Sequence, residues 1–183
     1  SVSVGKLLLG NEKFAPCTPK GIIHLLEEYN IPIEGKNVVI INHSNIVGKP
    51  LAAMFLNRNA TVTVCHKFTR NLIDYTSNAD ILISAVGKAN MITKEMIKQG
   101  AIVIDVGYDR IDGKLCGDVD YLNVKEKASY ITPVPGGVGP MTVAMLMLNT
   151  VHEEKTNENP NRPKGRGIFN VSDTPSDNGK LIK

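Results

Sequence analysis

The sequence predicts an α/β fold of the doubly wound kind, a mainly parallel sheet with helices on both faces. Three observations carry that expectation. Val38, Val39, Ile40 and Ile41 form a branched apolar run that reads as a buried strand, and a polar turn then leads to Gly48 and Pro50 at the head of a helical pattern. Further strand-like runs at 61–65, 81–86, 101–106 and 130–134 alternate with short helical stretches. Two of those runs stop at a glycine, Gly87 and Gly107, where a backbone without Cβ can approach a ligand or make a tight turn.

Composition narrows the class. The 183 residues suffice for one domain with a real core, or one domain and a tail. The formal charge of +3, from 21 basic and 18 acidic residues, is near balance, and the few aromatics do not interleave with basic clusters. Nucleic acid is therefore not an expected partner. The apolar runs have strand length, far short of a membrane span, and no signal-peptide pattern opens the chain, so a soluble protein without a membrane partner is expected. Cys17, Cys65 and Cys116 are odd in number and widely spaced, which fits neither a disulfide framework nor a zinc site. A reducing compartment, most simply the cytoplasm, is the default.

Residues 1–17 read as an arm, with Gly5 and Gly10 bracketing Leu7, Leu8 and Leu9. The chain opens at Ser1 directly into apolar sequence, so a start inside a larger polypeptide is expected. Thr18 and Pro19 predict a helix start, with Thr18 as N-cap, and Ile22, Ile23, Leu25, Leu26 and Tyr29 recur at helical spacing. After the first strand, the junction Asn42 to Pro50 is a strand, a turn and a helix N-terminus. Free N–H groups and the positive helix end favour an anion such as a pyrophosphate there, although the stretch is not GxGxxG and an ordinary βα unit is the plain alternative.

The second strand, Thr61 to Cys65, ends in Cys65-His66-Lys67. An acidic residue near this point would accept hydrogen bonds from a ribose 2′-hydroxyl, whereas a basic one accommodates a 2′-phosphate. With His43 in the first turn and Arg70 nearby, the charge leans toward the phosphorylated ribose; a solvated basic loop is the other reading. Helical stretches are expected around 71–78 and 93–98, and Asp112-Gly113 signals a hairpin. Asp105 and Asp118 raise the question of a metal, but lone carboxylates beside loops are more often hydrogen-bonded or solvated, and no metal is assigned. The last strand runs into PVPGGVGPMT, where Pro133, Pro135 and Pro140 stiffen the backbone while Gly136, Gly137 and Gly139 free it. An apolar helix is expected from Met141-Thr142. From about Glu153 the sequence turns charged and turn-forming, with only Ile168, Phe169 and Val171 as an apolar island, and reads as a mobile tail or an arm that packs on something else.

PVPGGVGPMT, together with SNIVGKP, VIDVG followed by GKLCGDVD, and PCTPKG, resembles the cofactor-binding half of methylenetetrahydrofolate dehydrogenase/methenyltetrahydrofolate cyclohydrolase, over roughly Val4 to Val151. The resemblance implies a Rossmann-like domain at 18–152, an arm at 1–17 continuing from a missing domain, and a polar tail at 153–183. It implies an enzyme that oxidises 5,10-methylenetetrahydrofolate and hydrolyses the methenyl product to 10-formyltetrahydrofolate, usually as a homodimer. Asn42-His43-Ser44 matches the family's Gly-Arg-Ser cofactor site, with Gly48 behind it and Gly87 at the next strand end. Tyr108 stands where an isoleucine commonly contacts the nicotinamide end, and Pro135, Gly136, Gly137, Val138 and Gly139 match the loop that touches folate. Cys65-His66-Lys67-Phe68-Thr69 matches a segment whose serine, here Lys67, helps hold the 2′-phosphate, and His43 replaces the arginine. NADP is expected over NAD. The family's catalytic lysine, its tyrosine partner and a folate-binding aspartate belong to an N-terminal domain, so no catalytic residue is expected within these 183 residues. A stand-alone NAD(P)-binding module without catalysis is the alternative reading, and a preceding segment with a Tyr-x-x-x-Lys pattern would decide against it.

Overall fold

The computed structural model describes residues 2–156. Five parallel strands, β1 (Asn37–Ile41), β2 (Thr61–Cys65), β3 (Ile81–Ser84), β4 (Ile102–Asp105) and β7 (Tyr130–Ile131), form one sheet in the order β2-β1-β3-β4-β7. Between β4 and β7, the strands β5 (Asp109–Ile111) and β6 (Lys114–Cys116) make a separate antiparallel hairpin. Its turn residues Asp112 and Gly113 both have positive φ, 50° and 78°, as the expected Asp-Gly hairpin turn requires.

Each central strand is apolar on both sides because each side is covered. Val38 and Ile40 of β1, with Ile81, Ile83 and Ile104, pack beneath the helices α1 (Val2–Leu8), α2 (Cys17–Glu28), α3 (Gly48–Leu56) and α6 (Val138–Thr156). Val39, Ile41, Leu82 and Val103 point to the opposite face. There Ile92, Ile97, Val119 and Val124 cover them, from the 3₁₀ turn region (Lys94–Met96), the short helix α5 (Tyr121–Val124) and their connections. The doubly wound reading therefore holds, and the alternation of Val38/Ile40 against Val39/Ile41 is its direct cause.

Several local expectations give way to tertiary packing. The arm expected at 1–17 begins as a helix, because Leu7 enters the core and the Asn57 amide donates to the Leu7 carbonyl at 2.9 Å. Thr18 is not the N-cap: α2 starts at Cys17 after Pro16, and the Thr18 hydroxyl instead meets Thr142 Oγ1 on α6 at 3.1 Å. The helical stretch at 93–98 contracts to one 3₁₀ turn, while α4 is short, at Leu72–Thr76. Helix α6 starts at Val138 rather than Met141, inside the proline-glycine loop, and runs to Thr156, so the expected tail boundary at 153 falls within a helix. The rest of that tail, 157–183, lies outside the described residues. Helix α5, of only four residues, has no counterpart among the elements expected from the sequence pattern.

Candidate functional site

Strand order places a topological switch between β1 and β3, since the chain leaves β1 toward β2 on one side and returns to β3 on the other. The crevice beyond the carboxyl ends of two such strands is where open α/β sheets hold ligands. Asn42, just past β1, spans it: its amide donates to the Ala85 carbonyl past β3 at 2.7 Å. The same side chain's oxygen accepts the N–H groups of Ser44 at 2.8 Å and Gly48 at 3.1 Å, closing the turn onto the start of α3. Gly48 is buried so close to this turn that a Cβ would overlap the Asn42 carbonyl oxygen. One expectation is corrected here. The N–H groups at the head of α3 are already taken, Val47 by Ser44 Oγ, Gly48 by Asn42 and Lys49 by the Ser44 carbonyl, and Pro50 has none. The helix end offers its dipole to an anion but not those backbone donors.

The basic side chains gather beside this turn. The rings of His43 and His66 lie 5.0 Å apart between centroids at 58°, which joins the end of β1 to the end of β2. His66 is fixed on its other side: its N–H donates to Thr69 Oγ1 at 2.9 Å, and its Nδ1 accepts the Phe68 N–H at 3.3 Å. In the neutral ring Nε2 is therefore the proton-bearing nitrogen. Lys67 is exposed and rests its ammonium 4.9 Å from the centre of the Phe68 ring. Burial pushes the Cys65 thiol up, which disfavours a thiolate at the strand end.

On the other side of the crevice, Gly87 has φ of 73° and leaves open space, with the Tyr108 carbonyl 3.9 Å from where a Cβ would stand. Tyr108 itself is exposed. The proline-glycine loop follows β7 at the same edge. Val134–Pro135 is a cis peptide and Gly136 has φ of 103°. Pro135, Gly136 and Gly139 are exposed, whereas Gly137 and Val138 are buried, Gly137 lying against Thr132 and the Pro133 carbonyl. Those two shape the loop from beneath rather than line its surface.

Asp105 and Asp118 were the sequence's open question, and both are buried and fully engaged. Asp105 accepts N–H groups from Gly107, Asp118 and Val119 at 2.8 to 3.0 Å. Asp118 accepts Ser84 Oγ, Val86 N and Lys88 N at 2.6 to 2.8 Å. A Cβ on Gly107 would strike the Asp118 carboxylate, and one on Gly117 would strike that of Asp105. The signal for this interlock was present as paired Asp and Gly in IDVG and CGDV, but nothing local says that the two segments meet.

Burial pushes the Asp105 carboxyl up to about 6, with the Asp118 charge adding to the rise and the three N–H donors opposing it. An acid whose pKa rises on folding binds its proton more tightly in the native chain. Its contribution to stability is therefore fully present below 3.8 and is lost as pH rises through about 6. The expected size is on the order of 3 kcal/mol. Urea midpoints of the wild type and Asp105→Asn, taken at about pH 4 and about pH 7, check this: the wild type should lose more stability over that interval than the variant. Equal losses would contradict it.

Comparison with known proteins aligns with this geometry. Residues 16–158 match the family described as tetrahydrofolate dehydrogenase/cyclohydrolase, NAD(P)-binding domain. The bifunctional protein FolD of Bacillus subtilis is 58% identical over 155 residues, covering 84% of this chain and 55% of that protein. Among solved structures, the bifunctional enzyme FolD, a methylenetetrahydrofolate dehydrogenase/cyclohydrolase from Campylobacter jejuni, superposes with a TM-score of 0.83 at 55% identity, covering 85% of this chain and 56% of that one. The Trypanosoma brucei methylenetetrahydrofolate dehydrogenase-cyclohydrolase, solved with NADP and an inhibitor, gives 0.79 at 40% identity, covering 85% and 56%. The chain spans about half the length of the curated relatives it matches.

Proposed function

Since the chain belongs to the tetrahydrofolate dehydrogenase/cyclohydrolase family through its NAD(P)-binding domain, we propose that it is the cofactor-binding part of a bifunctional folate enzyme. That enzyme oxidises 5,10-methylenetetrahydrofolate to the methenyl form with NADP and hydrolyses the product to 10-formyltetrahydrofolate. The observation that carries the reading is the bridged crevice at the switch point, with Asn42 tied to Ala85 and Gly48 pressed against the turn.

The residues present fit a dinucleotide with a phosphorylated ribose. His43 past β1 meets His66 past β2, with Lys67 next in the chain, and no carboxylate stands among residues 65–70 to favour a bare 2′-hydroxyl. NADP, when bound, supplies the hydride acceptor. The chain's own residues then bind and orient: His43, His66 and Lys67 read the 2′-phosphate, Asn42, Ser44 and Gly48 shape the turn beneath the dinucleotide, and Gly87 and Tyr108 border its nicotinamide end. Pro135, Gly136 and Gly139 face the folate, with Gly137 and Val138 holding their loop in shape. Hydride transfer depends chiefly on such positioning, whereas hydrolysis of the methenyl carbon needs a group that manages protons. That group belongs to a domain outside these residues. A cytoplasmic homodimer completes the proposal.

Activity assays test the division of labour. The isolated chain is expected to turn over neither reaction, and both are expected to appear once it is joined to the portion of the Bacillus subtilis relative that it does not cover. Full dehydrogenase and cyclohydrolase activity in the isolated chain would contradict the placement of the proton chemistry.

A further inference from the structure

Asp105 and Asp118 have no part in the binding roles assigned above, yet they are 3% and 0% exposed and together accept six hydrogen bonds. Their partners run in one direction along the carboxyl edge of the sheet. Asp118 takes the Ser84 hydroxyl and the Val86 and Lys88 N–H groups, the donors on either side of Gly87. Asp118 and Val119 donate their own N–H groups to the two oxygens of Asp105. The Asp105 N–H then donates to Thr132 Oγ1 at 2.7 Å, and the Thr132 hydroxyl donates back to the Asp105 carbonyl at 3.3 Å. Thr132 is the residue before the proline-glycine loop, and Gly137 of that loop packs on its Cβ. A continuous chain of hydrogen bonds, buried between Ser84 and Thr132 and part-buried at Val86 and Lys88, therefore links the Gly87 turn to the loop at 133–139, passing β3, β4 and β7.

Two carboxylates buried side by side are a costly way to close a turn, because each must be desolvated near a like charge. Backbone carbonyls or an apolar pair would hold an ordinary connector. What carboxylates add is several acceptor directions on one rigid group, which fixes several backbone donors at once. We propose that Asp105 and Asp118 are positioning residues that lock the Gly87 turn and the Pro135–Gly139 loop into one frame, so that the cofactor's nicotinamide end and the folate are held in register. The proposal rests on the dinucleotide reading above. A misplacement of about 1 Å between reacting groups can cost roughly a hundredfold in rate, which is the reason to hold the two loops by one device.

The test uses amide hydrogen exchange by NMR and NADP titration on the 183-residue chain. Asp105→Asn keeps the shape but turns an N–H₂ toward one of its three donors, and its hydrogen bonds go to residues 107, 118 and 119, not to 84–88. Exchange at Val86 and Lys88 is expected to accelerate at least about tenfold, and NADP to bind roughly tenfold more weakly. Thr132→Val, a milder change at the other end of the chain of bonds, is expected to act in the same direction, and Thr132→Ser, which keeps the hydroxyl, to restore both readings. Asp80→Asn serves as the control, because Asp80 bonds the Asn37 N–H and Lys98 at the opposite edge of the sheet. Faster exchange confined to Gly107, Asp118 and Val119, or an equal effect from Asp80→Asn, would overturn the proposal. Absence of NADP binding by the wild type would remove the functional half, while the exchange readings would still decide whether the two loops share a frame.

Discussion

Gly48→Ala is expected to be the most damaging single substitution at the crevice, costing roughly 3 kcal/mol or more of stability and taking dinucleotide binding with it. The added methyl would overlap the Asn42 carbonyl oxygen and crowd its side-chain oxygen, and neither can retreat freely. Asn42 follows β1 directly and is tied across the crevice to Ala85. Relief would have to come from shifting the turn from α3, which breaks the Gly48 and Ser44 hydrogen bonds to Asn42. Urea unfolding reads the loss of stability, and an NADP titration of the folded fraction reads the loss of the site. A variant with the wild-type midpoint would mean that the turn is looser than this packing describes.

Lys67→Glu is expected to weaken NADP binding by roughly tenfold to a hundredfold while changing NAD binding much less. Lys67 is exposed, follows His66 in the chain and rests its ammonium over the Phe68 ring, so its replacement reverses a charge without opening a cavity. The discriminating quantity is the ratio of the two affinities, measured at modest ionic strength because added salt screens exposed charges. Equal weakening of both cofactors would point to a steric effect at the strand end. An unchanged ratio would take Lys67 out of the 2′-phosphate site.

The parts of the fold that depend on residues close in sequence were legible in it. Val38 to Ile41 announces a strand buried on both faces, Gly48 and Pro50 announce the head of α3, and Asp112-Gly113 announces a hairpin whose two positive φ values the structure contains. What stayed hidden depends on partners far along the chain. Helix α1 is held by Leu7 entering the core and by Asn57, fifty residues on. Thr18 looks like an N-cap until Thr142 is found opposite it. The head of α3 looks like a free anion site until the Asn42 side chain turns back to occupy a donor. The same holds for the candidate site. The sequence offers Asn42 to Ser44 and His66 to Lys67 as candidates through their motifs, but it does not show the contact between His43 and His66. Asp105 and Asp118 stand out in the sequence as carboxylates beside loops, and only the fold shows them joined.

The most direct test of the central claim, that these residues form the dinucleotide-binding half of a folate enzyme, is a calorimetric titration of the 183-residue chain with NADP and, separately, with NAD. The account predicts saturable binding of NADP with NAD clearly weaker, the difference arising from His43, His66 and Lys67. Binding of neither cofactor to a chain that is demonstrably folded would contradict it.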